Sequence, residues 1–584
     1  MKVCVVGAGP CGLTTIKQLR DEGHEVVCFD KNADIGGIWL RHPDDAPGSD
    51  AQGSDAQGSD AEEMKAFDNL MLTISMRLMA YSDYPFPERK FFSRQQYHGY
   101  LREYAEHYRL RDHIRFGSEV TDLRRRGANW TVSVRRDGVE TTEEFGAVAI
   151  CSGPFKTPNR DIPEIEEFTG EIIHSAQYRN NERFRGRRVL VVGLAESGAD
   201  IVREIGDVAE ACTLSIRSYS WLLPRIFNGT ETTDRGTVRA HHHEMLRRAT
   251  DKPFPLQSFW GRNPIAKTVF LTLSVILGFA KSVPGGVRLY LDQRAGRVPE
   301  APALNPMGEP TFPEKMDIGT ENTPENWEMV KTWNHRSHPD GSWTQRAIFS
   351  KNVTFIPSLV SGQVTLNDAG IERTEGKKVF FRDSTSAEFD TIVLCTGFTK
   401  SELSIGDLRV ADGNVRNLYK HFLPPEHDGT AAFIGFVRPF SGGIPICAEM
   451  QARYFAQLCS GTVRLPNDIG KRIADEKDWE EYWTALSPRH TESIPSQVVY
   501  LDSLAKEIGC LVPMRKMMLS PRLFIQLWFG TFNQSGYRIV GPHNRGRAAL
   551  DDLYSESVIN LKNMVFDMAL LQLMPSRFHP RDIM

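Results

Sequence analysis

The fold is decided by the stretch KVCVVGAGPCGL, residues 2–13, in which a short apolar run leads directly into the pattern Gly7-x-Gly9-x-x-Gly12. Gly7 permits a tight turn after a strand, and Gly9 lets backbone N–H groups approach a pyrophosphate. Gly12 lets the following helix pack closely on the strand, and the helix N-terminus presents its positive dipole end. The stretch therefore predicts a strand, a glycine-rich turn and a helix that together hold a phosphate.

The residues after the turn complete the same unit. Residues 13–22 are predicted to form a helix, and residues 25–29 a second buried strand. Asp30 ends that strand 18 residues after Gly12, where an acidic side chain can bind ribose hydroxyls. Two strands, a helix and Asp30 in this order predict a dinucleotide-binding domain of the Rossmann type rather than an isolated tight turn.

A second turn of this kind follows the apolar run 188–192, with the sequence Gly193-Leu-Ala195-Glu196-Ser197-Gly198. It is a degenerate version, because Ala195 stands where the middle glycine is expected and its Cβ should hold a pyrophosphate slightly away. Glu196 would repel a phosphate unless its side chain points away or caps the helix. The motif still predicts a second Rossmann-type domain.

The residue after the next strand indicates which nucleotide the second domain takes. Arg217 follows the strand 213–216, where an NAD site would carry an acidic residue. A cation there favours the 2′-phosphate of NADPH, although a solvated surface charge is the alternative. The two turns lie 186 residues apart, from Gly7 to Gly193. Two such turns in one chain suggest one flavin and one nicotinamide, and electron transfer from NADPH to FAD.

The composition excludes several classes of protein. The chain has 584 residues, a formal net charge of −4 and a charged fraction of 25%. It is too long for one ordinary core, and it has no basic surplus for nucleic acid. Its nine cysteines are scattered without a C-x-x-C pair. We therefore expect no metal site, no dithiol centre and a reducing, cytoplasmic compartment. The sequence does not indicate an oligomeric state.

The longest apolar run, residues 268–280, comprises 13 residues. A bilayer requires roughly 20 residues, so no transmembrane segment is expected. The run predicts a buried helix, with a membrane-dipping segment or the wall of a substrate tunnel as alternatives. Peripheral membrane association therefore remains open.

The order of the predicted elements divides the chain into an α/β protein with two Rossmann-like domains and mostly helical additions. A pentapeptide repeat of Gly, Ser, Asp, Ala and Gln or Glu predicts a flexible surface loop at 44–63. The expected parts are an FAD domain at 1–165, an NADPH domain at 166–384 with a helical insertion at about 222–345, the second part of the FAD domain at 385–470, and a helical C-terminal region at 471–584.

Between the two turns lies the pattern Phe168-x-Gly170-x-x-x-His174-x-x-x-Tyr178. It resembles the fingerprint of the flavin-containing monooxygenases, which are class B flavoprotein monooxygenases. Stretches similar to other segments of that family lie along nearly the whole chain, at residues 34–39, 81–87, 100–105, 395–398, 435–453 and 537–548.

The resemblance implies an enzyme in which NADPH reduces FAD and NADP+ stays bound. Reduced flavin then takes up O2 as a C4a-(hydro)peroxide and passes one oxygen atom to nitrogen, sulfur or carbon of a small organic substrate. The glycine-rich motifs and the resemblance together give the residues expected to bind the cofactors: Gly7, Gly9, Pro10, Cys11, Gly12, Asp30, Lys31, Gly37, Ile38, Trp39, Gly193, Ala195, Glu196, Ser197, Gly198, Arg217, His174, Thr396, Gly397 and Gln451.

Two positions refine what the resemblance implies. The family usually has an asparagine eight residues before the Tyr-Ser-Asp segment, close to the flavin peroxide, and this chain has Thr73 there. Threonine keeps one hydroxyl donor but lacks the paired groups of an amide, so we single out Thr73 as the catalytic candidate. Tyr178 ends the fingerprint where Baeyer–Villiger relatives typically have tryptophan, which favours heteroatom oxygenation. For His174, a structural role is as well supported as a catalytic one.

Three alternatives remain open at this stage. Poor protection of the peroxide at Thr73 would make the chain an NADPH oxidase. Carbon oxidation of the Baeyer–Villiger type is a second alternative. The replacements Ala195 and Glu196 allow a third, a nucleotide-bound interaction protein without turnover. The divergent middle of the chain suggests a specialised substrate, as in secondary metabolism.

Overall fold

The computed structural model describes residues 1–40, 66–227, 323–337, 349–399, 403–439, 442–483, 490–494 and 496–556, with short pieces at 231–232, 234, 237–240 and 242–243 and the single residues 291, 295 and 558. The expected loop at 44–63, the apolar run 268–280 and most of the insertion expected at 222–345 lie outside the described residues.

The strands in chain order are β1 (Lys2–Val6), β2 (Glu25–Phe29), β3 (Ile114–Arg115), β4 (Ser118–Arg126), β5 (Asn129–Arg136), β6 (Val139–Phe145), β7 (Ala147–Ile150), β8 (Thr157–Pro158), β9 (Glu171–His174), β10 (Arg188–Val192), β11 (Ala211–Ser215), β12 (Trp221–Leu222), β13 (Ile226–Phe227), β14 (Glu231–Thr232), β15 (Phe349–Ser350), β16 (Val364–Asn367), β17 (Ile371–Glu375), β18 (Lys378–Phe381), β19 (Ser386–Glu388), β20 (Thr391–Leu394), β21 (Phe398–Thr399), β22 (Ser404–Ile405), β23 (Leu408–Arg409), β24 (Ala431–Phe433), β25 (Arg438–Pro439) and β26 (Ser493–Ile494).

The α-helices in chain order are α1 (Pro10–Asp21), α2 (Met76–Met79), α3 (Arg94–His107), α4 (Glu196–Gly206), α5 (Pro324–Ser337), α6 (Ile356–Val360), α7 (Ile444–Ser460), α8 (Ile469–Trp483), α9 (Gln497–Ile508), α10 (Met514–Leu519), α11 (Pro521–Phe529) and α12 (Arg547–Tyr554).

The first sheet is parallel and has the strand order β24-β7-β1-β2-β3. Its central strands are almost entirely buried, as expected of a parallel sheet that is covered on both faces. The helix α1 joins β1 to β2, and α7 packs against α1. The predicted strands at 2–6 and 25–29 are confirmed, and the helix begins at Pro10 rather than at residue 13 because proline suits the first turn of a helix.

The second sheet has the same design, with the strand order β16-β11-β10-β20-β9 and parallel pairing throughout. The helix α4 joins β10 to β11, as α1 joins β1 to β2. Two Rossmann-like units are thus present, and the predicted fold class is confirmed. No helix among the described residues is long and apolar enough to cross a membrane.

Two segments that connect the two sheets lie side by side. Strands β8 and β21 pair antiparallel there, so the outgoing and the returning segments run side by side. Because β20 still pairs with β10, the chain leaves the second sheet only after Leu394. This point is later than the domain boundary that we expected at residue 385.

The described part of the C-terminal region, up to residue 556, contains several helices, and it returns to the first domain. Its principal anchor is the buried guanidinium of Arg538, which lies 3.0 Å from the carboxylate of Asp83 and 2.6 Å from that of Glu449. Breaking such a buried ion pair leaves an uncompensated charge, which is strongly destabilising. Arg538 therefore holds the segment after α2 against α7.

The glycine-rich turn of the first sheet generates a stability prediction. A Cβ at Gly12 would lie 1.8 Å from the carbonyl oxygen of Gly7, whereas a Cβ at Gly99 in α3 meets nothing within 4 Å. Gly12→Ala should therefore lose about 3 kcal/mol or more of unfolding free energy, at the upper end of overpacking costs. Gly99→Ala, the matched control, should gain roughly 0.5–1 kcal/mol because glycine is poor inside helices. Thermal denaturation measures both, and equal effects would contradict the clash.

Candidate active site

The first turn folds back on the end of the neighbouring strand. Gly7 has φ +103°, and a Cβ there would lie 2.9 Å from the carbonyl oxygen of Cys151, just after β7. Gly37 has φ +59°, and a Cβ there would lie 3.1 Å from Gly9 Cα. These close approaches of backbone to backbone leave no room for side chains. The turn between β1 and α1, with Gly9 and Gly37, forms what we call the first cradle.

Asp30 lies at the end of β2, as predicted, and its carboxylate is hydrogen-bonded to the backbone of the first cradle and of Asn32. One carboxylate oxygen accepts a hydrogen bond from the backbone N–H of Ala8 at 2.6 Å, and the other accepts one from the N–H of Asn32 at 2.7 Å. Burial raises the pKa of Asp30, although these backbone hydrogen bonds oppose the rise. The carboxylate therefore fixes the turn, and its contact with a ribose remains a prediction. The neighbouring Lys31 is exposed.

Three residues predicted to bind FAD, Pro10, Cys11 and Gln451, have contacts within the protein. The Pro10 carbonyl accepts a hydrogen bond from Tyr81 at 2.7 Å, and Cys11 is buried. Gln451 accepts from the N–H of Gly435 at 2.9 Å and donates to the hydroxyl of Tyr500 at 2.7 Å. The amide of Gln451 thus holds the turn after β24.

The residues at 37–39 form a short 3-10 turn beside the first cradle. Gly37, Ile38 and Trp39 are half-buried, and the ring of Trp39 packs edge-on against Tyr97 at 4.8 Å. This edge-to-face contact fixes the orientation of the indole. Direct contact of these residues with FAD remains a prediction.

The second turn repeats the geometry of the first. Gly193 has φ +93°, and a Cβ there would lie 2.8 Å from the carbonyl oxygen of Cys395, just after β20. A Cβ on Gly198 would lie 2.7 Å from the carbonyl oxygen of Gly193. Ala195 is the extended residue that precedes α4, and Ser197 is exposed in its first turn. We call this turn, residues 193–198, the second cradle.

Glu196 is turned toward a neighbouring segment of the protein. Its Oε1 accepts a hydrogen bond from the backbone N–H of Lys351 at 2.7 Å. Burial raises the pKa of Glu196, and the charges of Arg225 and Arg438 oppose the rise. One carboxylate oxygen of Glu196 is thus directed at Lys351, which leaves more space for a phosphate at this turn. Arg438 follows β24 of the first sheet, so a charge from the first domain acts at the second cradle.

His174 lies where the two domains join. It is fully buried at the end of β9, its Nδ1 accepts from the N–H of Ala176 at 3.0 Å, and its Nε2 lies 2.9 Å from the carbonyl oxygen of Gly397. Burial lowers the pKa of His174 to about 4, so the ring is neutral and Nε2 carries the proton. Thr396 donates to the carbonyl of Asn159 at 2.5 Å in the same joint. His174 therefore links the domains, and a role as general base is not supported.

Arg217 is exposed just after β11, and Gly370 lies close to its side chain. A Cβ on Gly370 would lie 3.2 Å from Arg217 Cγ, which shows how tightly the chain passes this arginine. An exposed guanidinium at this strand end is available to a phosphate. Its contact with the 2′-phosphate of NADPH remains a prediction.

Thr73 is half-buried in a segment that is held on both sides. The N–H of Leu72 donates to the carbonyl of Phe92 at 2.8 Å, and the N–H of Ser75 donates to the carboxylate of Asp234 at 2.5 Å. The residues that follow Thr73 pack on the start of α7, since a Cβ on Gly443 would lie 3.4 Å from Ile74.

Sequence reasoning missed the residues that connect these parts, namely Lys351, Asp234 and Arg438. No motif contains them, and Lys351 lies 155 residues from Glu196 and 117 from Asp234. The pairing of a buried lysine with a buried aspartate, each far from any glycine-rich turn, leaves no local signal in the sequence.

Both cradles have features that are typical of a ligand-binding site. Each has a turn without space for a Cβ at the end of a parallel strand, where helix N–H groups bind anions. Among the described residues, Ser152 Oγ beside the first cradle and Glu196 Oε2 in the second are buried without a hydrogen-bond partner. Buried polar atoms normally have partners, so the Ser152 hydroxyl fits a contact with a bound dinucleotide, whereas a charged Glu196 carboxylate would repel its phosphates.

Comparison with known proteins agrees with this geometry. A family model described as flavin-binding monooxygenase-like matches residues 1–256 and 325–564. The chain is 33% identical over 559 residues to a 4-hydroxybenzoate brominase (decarboxylating) of Marinomonas mediterranea, covering 94% of this chain and 92% of that protein. It is 26% identical over 559 residues to flavin-containing monooxygenase 2 of Homo sapiens, covering 93% and 89%.

A solved structure of OTEMO in complex with FAD and NADP has a similar fold, with a TM-score of 0.54 at 15% sequence identity. The likeness covers 87% of this chain and 97% of that one. The family match and the two cradles thus agree on a flavin-binding protein with two Rossmann-like units. The chain belongs to the flavin-binding monooxygenase-like family, whose model matches most of its length.

Proposed function

We propose that the chain transfers one oxygen atom from O2 to a nucleophilic nitrogen or sulfur of a small organic molecule, with NADPH as the reductant. The observation that carries the proposal is the pair of like cradles, one in each of two sheets that the contact of His174 with Gly397 helps to join. Specialised metabolism is a suitable setting for such a reaction.

The reaction balances as R + O2 + NADPH + H+ giving RO + NADP+ + H2O. When bound, FAD accepts the hydride and activates O2; the protein supplies binding, orientation and exclusion of water. In this proposal the N-terminus of α1 holds the FAD pyrophosphate, and that of α4 holds the NADPH pyrophosphate. Thr73 donates its hydroxyl proton at the site of oxygen transfer, and the neutral His174 keeps the joint rigid.

A second candidate is the halogenation of a phenolic acid. It is favoured by two relatives, both named 4-hydroxybenzoate brominase (decarboxylating), at 33% and 32% identity, compared with 25–28% for the mammalian monooxygenases. In that case bromide takes the place of nitrogen or sulfur as the nucleophile. The balance is ArH + Br− + O2 + NADPH + 2 H+ giving ArBr + NADP+ + 2 H2O.

Labelled oxygen separates the two candidates. The protein is incubated with NADPH, 18O2 and a panel of amines, sulfides and phenolic acids, with and without bromide, and the products are identified by mass spectrometry. Heteroatom oxygenation, which we expect, gives a product with one labelled oxygen and no need for bromide. A brominated product without label, obtained only with bromide, would select the second candidate. NADPH consumption that forms only H2O2 with every compound would contradict both.

Thr73 should control what fraction of the consumed NADPH leads to oxygenation of the substrate rather than to H2O2. Thr73→Ala removes the hydroxyl donor, so the H2O2 formed per NADPH should rise severalfold, because oxygen transfer loses a positioned hydrogen-bond donor. Thr73→Asn restores an amide and should leak no more than the original chain. The ratio of H2O2 to NADPH measures both variants, and an unchanged ratio in Thr73→Ala would remove Thr73 from the site.

The binding of NADP+ should depend on the charge of Glu196. Because burial raises its pKa above the ordinary value of 4.5, Glu196 gains a proton at a higher pH than an exposed glutamate does. NADP+ should therefore bind more tightly as the pH falls, since the repulsion of the pyrophosphate disappears. Glu196→Gln should bind NADP+ roughly tenfold more tightly at alkaline pH, the effect of removing one nearby like charge.

The 2′-phosphate of NADP+ also titrates, so the quantity to compare is the difference between the original chain and Glu196→Gln across pH. Isothermal titration calorimetry gives both affinities. Parallel pH curves for the two proteins would show that Glu196 does not face the nucleotide.

A further inference from the structure

One lysine joins the second cradle to the segment that carries Thr73. The backbone N–H of Lys351 donates to Glu196 Oε1 at 2.7 Å, and its side-chain Nζ lies 2.8 Å from the carboxylate of Asp234. The other carboxylate oxygen of Asp234 accepts the N–H of Ser75 at 2.5 Å. Ser75 is two residues after Thr73. We call this series of contacts, Glu196–Lys351–Asp234–Ser75, the cradle link.

The link is buried and its charges are matched. The Asp234 side chain is fully buried, and that of Lys351 is 10% exposed. Burial opposes ionisation of Asp234, but the Lys351 charge and the hydrogen bond from Ser75 outweigh it and lower the pKa of Asp234. The pair is thus an ammonium and a carboxylate in a poorly solvated site, where the loss of either partner is costly.

The segment that holds Lys351 is itself fixed to α4. The side-chain amide of Asn352 donates to the carbonyl of Glu196 at 3.3 Å and to the carboxylate of Asp200 at 2.7 Å. The Thr354 hydroxyl donates to the Asn352 side chain at 2.7 Å. A displacement of the start of α4 would therefore move the backbone of Lys351 with it.

Lys351 differs from a lysine in an ordinary ion pair because its main chain contacts the second domain and its side chain is linked through Asp234 to the first domain. Its main chain belongs to the second domain and follows the helix that receives the nucleotide. Its side chain ends at a carboxylate whose remaining contact is with the backbone of the first domain. Contiguous hydrogen bonds and ion pairs of this kind can transmit a small displacement between two sites.

We propose that Lys351 is a positioning residue that couples the second cradle to Thr73, so that a nucleotide bound in the second cradle holds the Thr73 segment in place for oxygen transfer. This inference rests on the proposed place of Thr73 beside the flavin. It requires no contact between Lys351 and either cofactor.

The experiment uses the full-length FAD-loaded protein and the variants Lys351→Met, Lys351→Arg and Lys420→Met. Lys420 is the matched control, because it is also buried and lies at the same 2.8 Å from its carboxylate partner, Glu476. Three quantities are measured: the affinity for NADP+, the change that NADP+ causes in the visible absorbance of bound FAD, and the H2O2 formed per NADPH.

We expect Lys351→Met to retain FAD and to bind NADP+ within about threefold of the original affinity, because the backbone contact with Glu196 survives. NADP+ should no longer change the flavin absorbance in this variant, and the H2O2 ratio should rise by about fivefold, as for a displaced positioning group. Lys351→Arg should recover most of both losses. Lys420→Met should show a comparable decrease in melting temperature, but its flavin response to NADP+ and its H2O2 ratio should be unchanged.

A double variant tests whether Lys351 acts through Thr73. If Lys351 acts through Thr73, Lys351→Met combined with Thr73→Ala should leak no more H2O2 than Thr73→Ala alone. Additive leaks would overturn the proposal, as would a Lys351→Met protein with normal leak and a normal flavin response. If Thr73→Ala itself has no effect, the proposed role of Thr73 fails, and the flavin response alone decides whether the link exists.

Discussion

Both nucleotide sites depend on the close approach of a glycine to the carbonyl that ends the neighbouring strand. A Cβ on Gly7 would lie 2.9 Å from the oxygen of Cys151, and one on Gly193 would lie 2.8 Å from that of Cys395. Only glycine accepts this contact together with its positive φ, so the turn can fold over the strand ends and direct a helix N-terminus at a phosphate. Burial raises the pKa of both cysteine thiols, which remain neutral packing groups.

The repeated turn gives the molecule two sites of the same kind, and the joint between the sheets determines how they act together. The joint is small: β8 pairs with β21, and His174 uses both ring nitrogens to fix it. A neutral, fully bonded histidine at this place is a structural device rather than a proton carrier. The cradle link adds a further connection, from the start of α4 to the segment of Thr73.

Much of the fold was predictable because the constraints on it are local. The glycine patterns and the apolar runs at 2–6 and 188–192 contain the turns and strands by themselves. The start of α1 at Pro10 was missed, although proline in the first helical turn is a known signal. Lys351 and Asp234 could not be found, since their partners lie 117 to 159 residues away and no periodicity connects them. The orientation of Glu196 likewise depends on a backbone N–H from a distant segment.

The central claim is that both cradles serve one reaction, with a hydride passing from the second cradle to the first. Anaerobic mixing of the FAD-loaded protein with NADPH, followed by visible absorbance, tests it most directly. The account predicts that one equivalent of NADPH fully bleaches the flavin, and that Arg217→Ala, which removes the cation after β11, slows the bleaching at low NADPH concentration. A flavin that dithionite bleaches but NADPH leaves oxidised at saturating concentration would contradict the account.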